Sequence, residues 1–340
     1  MKTFVTYCTR DYILHALTSL ESALSLHAEA SARLICVDSI HDLPILPVEL
    51  WRKVKLSNLD EYPVTRLQYS NFLRSRSKFE SLISIKPQLL FELCKSLPEN
   101  EMVIYQDTDV IFFSEMDTYP GFSSKHSVYI FEHQYRLKKD FYPHGKYNAG
   151  FLVLKNNSSS QTFLEEWSSK CHEWCYLRVE NGKYADQKYL EELSRYSYVS
   201  AENSKQINLG MHFFDGGSNL KSTKKRVLLD NRELICFHFH GFKVHKRVTE
   251  SGLNRYGFSL RNFNKFKNLY IPTINRYFSI KRILEYQIGL SLLNSIQLQT
   301  DVPIEYSQLT FLKKLKSCIT GTYLINSLLK KHHLVWKNQL

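Results

Sequence analysis

One stretch constrains this chain more than any other: Val103-Ile104-Tyr105-Gln106-Asp107-Thr108-Asp109-Val110-Ile111-Phe112-Phe113. Its Val, Ile, Tyr and Phe content is that of a strand buried on both faces. Asp107 and Asp109 interrupt the run, one residue apart. A buried carboxylate is costly unless it is paired or bound to metal, so two of them at the end of a core strand demand a partner. An acidic clamp for a divalent cation, which in turn holds a phosphate group, supplies one. The bland alternative is that both residues cap a turn after a short strand.

The preceding sequence supports a sheet for this strand to join. Residues 2–8 read as a first strand, 12–27 as a helix with apolar residues at helical spacing, and 32–37 as a second strand. Such a β-α-β opening predicts parallel α/β architecture. The pattern further predicts a helix over 87–96 that opens near Pro87, strands over 127–131 and 150–154, and helices over 162–177 and 185–196. A last core strand is expected over 234–239, with helical periodicity resuming over 280–295 and 309–334.

Of the 340 residues, 43% are hydrophobic and 14% aromatic, which excludes a disordered chain and allows a large core. No apolar run reaches the roughly 18 residues a spanning helix needs. Seven scattered cysteines, an odd number, do not form a secreted disulfide framework, so the expected compartment is the cytoplasm. Charge divides the chain. Residues 241–340 carry 16 Lys and Arg against 4 Asp and Glu, whereas residues 1–240 balance at 29 of each. A neutral body with a basic end suggests a catalytic domain over 1–245 and a basic, mainly helical extension over 246–340. Lys pairs alternating with aliphatic residues suggest that residues 270–340 of this extension form a helical appendage that meets an anionic membrane surface, peripherally on its inner face.

Three further segments add chemistry. In Tyr147-Asn148-Ala149-Gly150, Gly150 lets backbone approach a ligand and Asn148 offers both a donor and an acceptor to sugar hydroxyls; a tight turn is the plain alternative. In Ala185-Asp186-Gln187, Asp186 is equally suited to cap the helix that follows. In Cys236-Phe237-His238-Phe239-His240-Gly241-Phe242-Lys243, alternation places His238 and His240 on one face of a strand that Gly241 ends.

In this order the four segments resemble the nucleotide-sugar-dependent glycosyltransferases of the GT-A fold, a Rossmann-like α/β fold, and in particular the glycogenin-like and bacterial lipopolysaccharide sugar transferases. The family's D-x-D corresponds to Asp107 and Asp109, its N-A-G to Asn148, Ala149 and Gly150, its D-Q to Asp186 and Gln187, and its H-x-x-G with a nearby lysine to His238, Gly241 and Lys243. The resemblance covers about residues 1–245. It implies a divalent cation, Mn²⁺ or Mg²⁺, held by Asp107, Asp109 and His238 against the diphosphate of the donor. Lys243 adds positive charge there. Thr6 and Tyr12, at the first strand and its loop, would bind the nucleotide, with Tyr12 stacking on the base. Asn148, Ala149 and Gly150 would line the donor sugar, with Asp186 and Gln187 as the catalytic pair. The donor would be a UDP-sugar, transferred with retention to a glycan or lipid-linked acceptor in surface polysaccharide or lipopolysaccharide synthesis. His240 competes with His238 as a ligand; counting back from Gly241 favours His238.

Other readings explain less. A haloacid-dehalogenase-like phosphatase would use Asp107 as nucleophile and Asp109 as acid/base, but that motif belongs near the start of a domain. Nucleic-acid binding would explain the basic end and leave the acidic pair without a purpose. A zinc site from Cys171, Cys175, Cys236 and His240 lacks the usual tight knuckle.

Overall fold

The computed structural model describes residues 1–38, 52–122, 125–133, 135, 143–213, 219–222, 226–244, 248–251, 263–288 and 323–325. The N-terminal half comprises β1 (Lys2–Cys8), α1 (Ile13–Leu24), β2 (Ser31–Cys36), β3 (Val54–Asn58), α2 (Pro63–Phe72), α3 (Lys78–Lys95), β4 (Met102–Gln106) and β5 (Val110–Phe112). There follow β6 (Val128–Glu132), β7 (Tyr147–Lys155), α4 (Ser158–Glu173), α5 (Leu190–Leu193), β8 (Val199–Glu202) and β9 (Leu209–Gly210). Short strands β10 (Leu220–Ser222), β11 (Val227–Leu229), β12 (Arg232–Glu233), β13 (Cys236–His238), β14 (Lys243–Val244) and β15 (Val248–Glu250) precede α6 (Phe263–Ile288) and β16 (Tyr323–Ile325).

The main sheet has seven strands in the order β3-β2-β1-β4-β7-β6-β8. Strands β3, β2, β1 and β4 run parallel, as the β-α-β opening requires, but β7 is antiparallel to both β4 and β6. The sheet is therefore mixed. Alternation along each strand feeds two cores. Phe4, Ile104, Phe151 and Val153 face α1, β13 and α6, whereas Val5, Val103, Tyr105, Leu152 and Leu154 face α3 and α4. Cys171 and Cys175 lie in one of these cores and Cys236 in the other, so the four-ligand zinc site cannot form.

Two helices begin where caps, not apolar periodicity, dictate. α3 starts at Lys78 because Ser77 and Glu80 form a reciprocal capping box, which leaves Pro87 inside the helix instead of at its start. Asn157 caps α4 in the same way, so that helix runs over Ser158–Glu173. α6 starts at Phe263 rather than near residue 280. The helix expected over 185–196 shrinks to a 3-10 turn, Gln187–Tyr189, followed by the single turn of α5. Within the helix expected over 309–334, Tyr323–Ile325 instead form β16, an edge strand paired antiparallel with β15; the rest of that stretch, in segments 289–322 and 326–340, lies outside the described residues.

α6 docks on the α/β body. Phe266, Leu269, Tyr270, Ile274, Tyr277 and Ile280 are buried in the α1-facing core, and Arg276 pairs with Glu21 of α1. The apolar face of residues 266–280 is thus occupied by protein and cannot also insert into a membrane. Tyr270 packs between Phe239 and Phe242, with ring centroids 5.0 and 5.9 Å away, and its hydroxyl donates to the Ser251 carbonyl at 2.6 Å. Tyr270→Ala should therefore lower stability by about 3–5 kcal/mol, as for other buried aromatic truncations. In a domain of this size that corresponds to a fall of roughly 10 °C in melting temperature, measurable by calorimetry.

Candidate active site

The chain visits β1, β2 and β3 in order and then returns to place β4 on the other side of β1. In open α/β sheets a ligand crevice opens at such a switch point, beyond the carboxyl ends of the strands. Here a cavity of about 580 Å³ lies there. The β1 end contributes Tyr7, Cys8, Thr9 and Tyr12; the β4 end contributes Tyr105, Asp107, Thr108 and Asp109.

The strand register assembles the acidic site. The Asp107 N–H donates to the Gly150 carbonyl at 2.8 Å, continuing the β4–β7 ladder, so the D-x-D lies beside Asn148, Ala149 and Gly150. The chain then turns, with the Val110 N–H on the Asp107 carbonyl at 3.1 Å, and leaves the main sheet as β5. β5 pairs antiparallel with β13, placing His238 opposite Val110, and the Phe239 N–H donates to the Asp109 carbonyl at 2.8 Å. Two ladders thus bring two carboxylates and an imidazole together. The ligand atoms of Asp107, Asp109 and His238 all lie within 4.8 Å of one another. His238 Nε2 is 3.0 Å from Asp109 Oδ1 and 4.0 Å from Asp107 Oδ2. Burial disfavours the imidazolium, but Asp109 and Asp107 outweigh it and raise the ring's pKa above the ordinary histidine range.

The residues fit a cation. Mixed carboxylate and imidazole donors suit Mn²⁺ and also accept Mg²⁺. Space is kept for them by Gly150: a β-carbon there would stand 2.4 Å from His238 Cε1 and 2.6 Å from Asp107 Oδ2. The backbone of Gly150 is not left-handed, so this glycine clears room for side chains rather than permitting a turn. Gly241 is the glycine of the pair that the turn requires, with φ at 73°.

Lys86, not among the sequence-derived site residues, also lines the cavity. It is 3% exposed. Its Nζ lies 2.8 Å from Asp186 Oδ2, 3.9 Å from Asp107 Oδ1 and 3.0 Å from the Ala149 carbonyl. Burial disfavours the ammonium, but Asp186 and Asp107 more than compensate, and its pKa stays above the ordinary lysine range. A lysine at a position of the α3 stripe that also holds Leu89, Leu90 and Leu93 was the available signal. The same contact holds Asp186, whose side chain makes no helix-capping bond. Its carbonyl accepts from Trp167 Nε1 at 2.9 Å, and Ala185 before it is forced to φ 47° at a cost of about 1–2 kcal/mol. Lys86→Met should destabilise the protein by about 3–5 kcal/mol in urea titrations, because it strands the buried Asp186 charge. Lys86→Met combined with Asp186→Leu should recover most of that loss.

Of the sequence-derived site residues, Tyr12, Asp107, Asp109, Asn148, Ala149, Gly150, Asp186, Gln187, His238, Gly241 and Lys243 all line this one cavity, as does His240. Thr6 does not. It is fully buried within β1, on the strand face it shares with Phe4, and Cys8 and Thr9 at the strand end take its place.

The sequence matches the family described as Glycosyl transferase family 8 over residues 4–247. It is 26% identical over 257 residues to the uncharacterized protein YfnF of Bacillus subtilis (strain 168), covering 70% of this chain and 82% of that one. Protein YfnD of the same organism, also uncharacterized, is 24% identical and is covered over 87% of its length, against 80% of this chain. Similar solved structures include the galactosyltransferase LgtC in complex with donor and acceptor sugar analogs (15% identity, TM-score 0.48, 71% of this chain and 87% of that one). Another is the apo form of the glycosyltransferase GlyE of Streptococcus pneumoniae TIGR4 (15% identity, TM-score 0.47, 83% of this chain and 64% of that one). The family match takes in both strand ladders and every residue of the acidic site, and the chain belongs to glycosyl transferase family 8: it is a glycosyltransferase.

Proposed function

We propose that this glycosyltransferase moves a hexose from a UDP-sugar to a glycan or lipid-linked acceptor, with retention, using Mn²⁺ or Mg²⁺ at Asp107, Asp109 and His238. The observation that carries the proposal is the convergence of these three ligands, around the clearance left by Gly150, at the switch point of the sheet. A cation bound there neutralises charge that develops on the departing diphosphate.

The chain's own residues then divide the work. Lys243, in the wall beyond the Gly241 turn, provides a second positive charge for the diphosphate. Tyr12, at the β1 end, is placed to stack on the base. Lys86 holds Asp186 and Asp107 in fixed relation, so the catalytic carboxylate and the acidic clamp share one cation. Gln187 donates its amide to the His144 carbonyl at 2.7 Å, which fixes the side chain at the cavity and leaves its oxygen for the donor sugar. The basic balance of residues 241–340 supports an acceptor carried at an anionic surface, with residues 246–340 extending a catalytic domain of about 1–245. Among the described residues, no helix is long and apolar enough to cross a membrane.

A thermal-shift panel of UDP-, GDP-, CMP- and dTDP-sugars, each with Mn²⁺ and with EDTA, tests the donor assignment. A donor at about 100 times its Kd adds roughly 2.7 kcal/mol to the native state. The expected result is a rise with UDP-sugars that EDTA removes; a rise with another nucleotide, or one indifferent to EDTA, would overturn the donor or the metal assignment respectively.

A further inference from the structure

A histidine binds a cation through an unprotonated ring nitrogen, so its other nitrogen must carry the proton and needs an acceptor for it. In His238 it is Nε2 that faces Asp109 and Asp107. The proton must then reside on Nδ1. Two side chains reach Nδ1, Asn148 through Nδ2 and Asn208 through Oδ1, each at 3.1 Å. They make opposite demands: an amide nitrogen needs Nδ1 as acceptor, an amide oxygen needs it as donor.

Asn148 cannot reverse its amide. Its Oδ1 accepts from the Gly150 N–H at 2.7 Å, which turns its nitrogen toward the histidines. That nitrogen has a second acceptor, His240 Nε2 at 3.2 Å, on a ring stacked 3.8 Å from that of His238. Asn148 can therefore give its hydrogen to His240 when Nδ1 of His238 is protonated. Asn208 is left as the acceptor.

The placement of Asn208 agrees with such a task. Parallel pairing of β9 with β13 sets Gly210 against His238 and keeps Asn208 beside the ring. Its N–H donates to Cys236 Sγ at 3.2 Å, and its backbone is left-handed, with φ at 53°. Asn tolerates that conformation, but glycine meets it more easily. The residue is 1% exposed, and its Nδ2 has no hydrogen-bond partner among the described residues. The side chain is thus buried at a desolvation cost, and the contact it makes is the one with His238.

We infer that Asn208 is a positioning residue for the transfer reaction: its Oδ1 holds the proton of His238 on Nδ1 and so presents the Nε2 lone pair to the cation. His240 is by the same geometry the relief acceptor for Asn148, not a metal ligand. The inference rests on the metal reading of the site proposed above.

The test uses the full chain and Mn²⁺ alone, followed by electron paramagnetic resonance of the free ion. Asn208→Gly removes the acceptor while suiting the left-handed backbone, and should weaken Mn²⁺ binding by about 10- to 100-fold. Asn208→Asp restores an acceptor and should bind Mn²⁺ at least as tightly as the wild type. In wild-type protein carrying ¹⁵N-histidine, with Mg²⁺, the His238 resonances should show the proton on Nδ1; this readout stands even if Asn208→Gly fails to fold. Undiminished Mn²⁺ binding by Asn208→Gly, equal weakening in Asn208→Asp, or a bare Nδ1 would each overturn the role of Asn208. Failure of the wild type itself to bind Mn²⁺ is a different result, which removes the metal reading and this inference with it.

Discussion

Replacing Asp109 with Asn will lower sugar transfer by about a thousandfold or more while leaving the protein folded. Each tenfold loss is about 1.4 kcal/mol of transition-state stabilisation, so the claim is for roughly 4 kcal/mol, within what metal-ion stabilisation of a departing phosphate supplies. The Asp109 side chain faces His238 Nε2 at 3.0 Å, and an amide there would remove one of the two carboxylates of the proposed cation site. The fold is insulated because Asp109 serves it through the backbone, where its carbonyl receives the Phe239 N–H. Its side chain is 22% exposed and not packed in a core. Stability in denaturant should change by no more than about 1 kcal/mol, as at surface sites. Donor release assayed across a Mn²⁺ titration checks both halves. A variant that recovers full rate at high Mn²⁺ has lost affinity only; one that does not has also lost the geometry of the bound diphosphate.

Gly150→Ala should be nearly as damaging, for a steric reason. The added β-carbon would meet His238 Cε1 at 2.4 Å, Asp107 Oδ2 at 2.6 Å and Asn148 Oδ1 at 2.9 Å. None of the three can yield freely. His238 is 3% exposed, Asp107 is tied through Oδ1 to the Tyr105 hydroxyl at 2.5 Å, and Asn148 is held by the Gly150 N–H itself. Overpacking of this kind costs about 1–3 kcal/mol. The metal ligands move apart to accommodate it, so Mn²⁺-dependent donor binding should fall by about 100-fold or more, on the scale of roughly 1 Å misplacements of catalytic groups. Calorimetry and a donor titration on the same variant separate the two effects. A variant with wild-type donor affinity would show that the clearance at Gly150 has nothing to do with the cation.

The acidic site was legible in the sequence because its parts sit where elements end. Asp107 follows β4, Asn148 and Gly150 open β7, and His238 closes β13, and such positions interrupt an apolar pattern that periodicity makes visible. Lys86 was not legible in that way. It lies mid-helix, where a lysine ordinarily faces solvent, and its spacing from Leu89, Leu90 and Leu93 marks it as buried only once the Ser77–Glu80 capping box shows that α3 already includes residue 86. Asn208 was hidden for another reason: β9 is two residues long, and nothing local announces that it will run beside β13. Thr6 lies outside the cavity because it is buried inside β1, two residues short of the strand end, where Cys8 on the same face reaches the cavity. The antiparallel course of β7 likewise depends on long-range pairing with β4, which residue types alone do not fix.

The most direct test is crystallographic: anomalous diffraction from crystals soaked in Mn²⁺ and UDP. The expected result is one manganese peak coordinated by Asp107, Asp109 and His238 Nε2, with the diphosphate on its open side and the Lys243 side chain in reach. A diphosphate seated in the cavity with no manganese between Asp107 and Asp109, or a manganese bound elsewhere on the chain, would contradict the account.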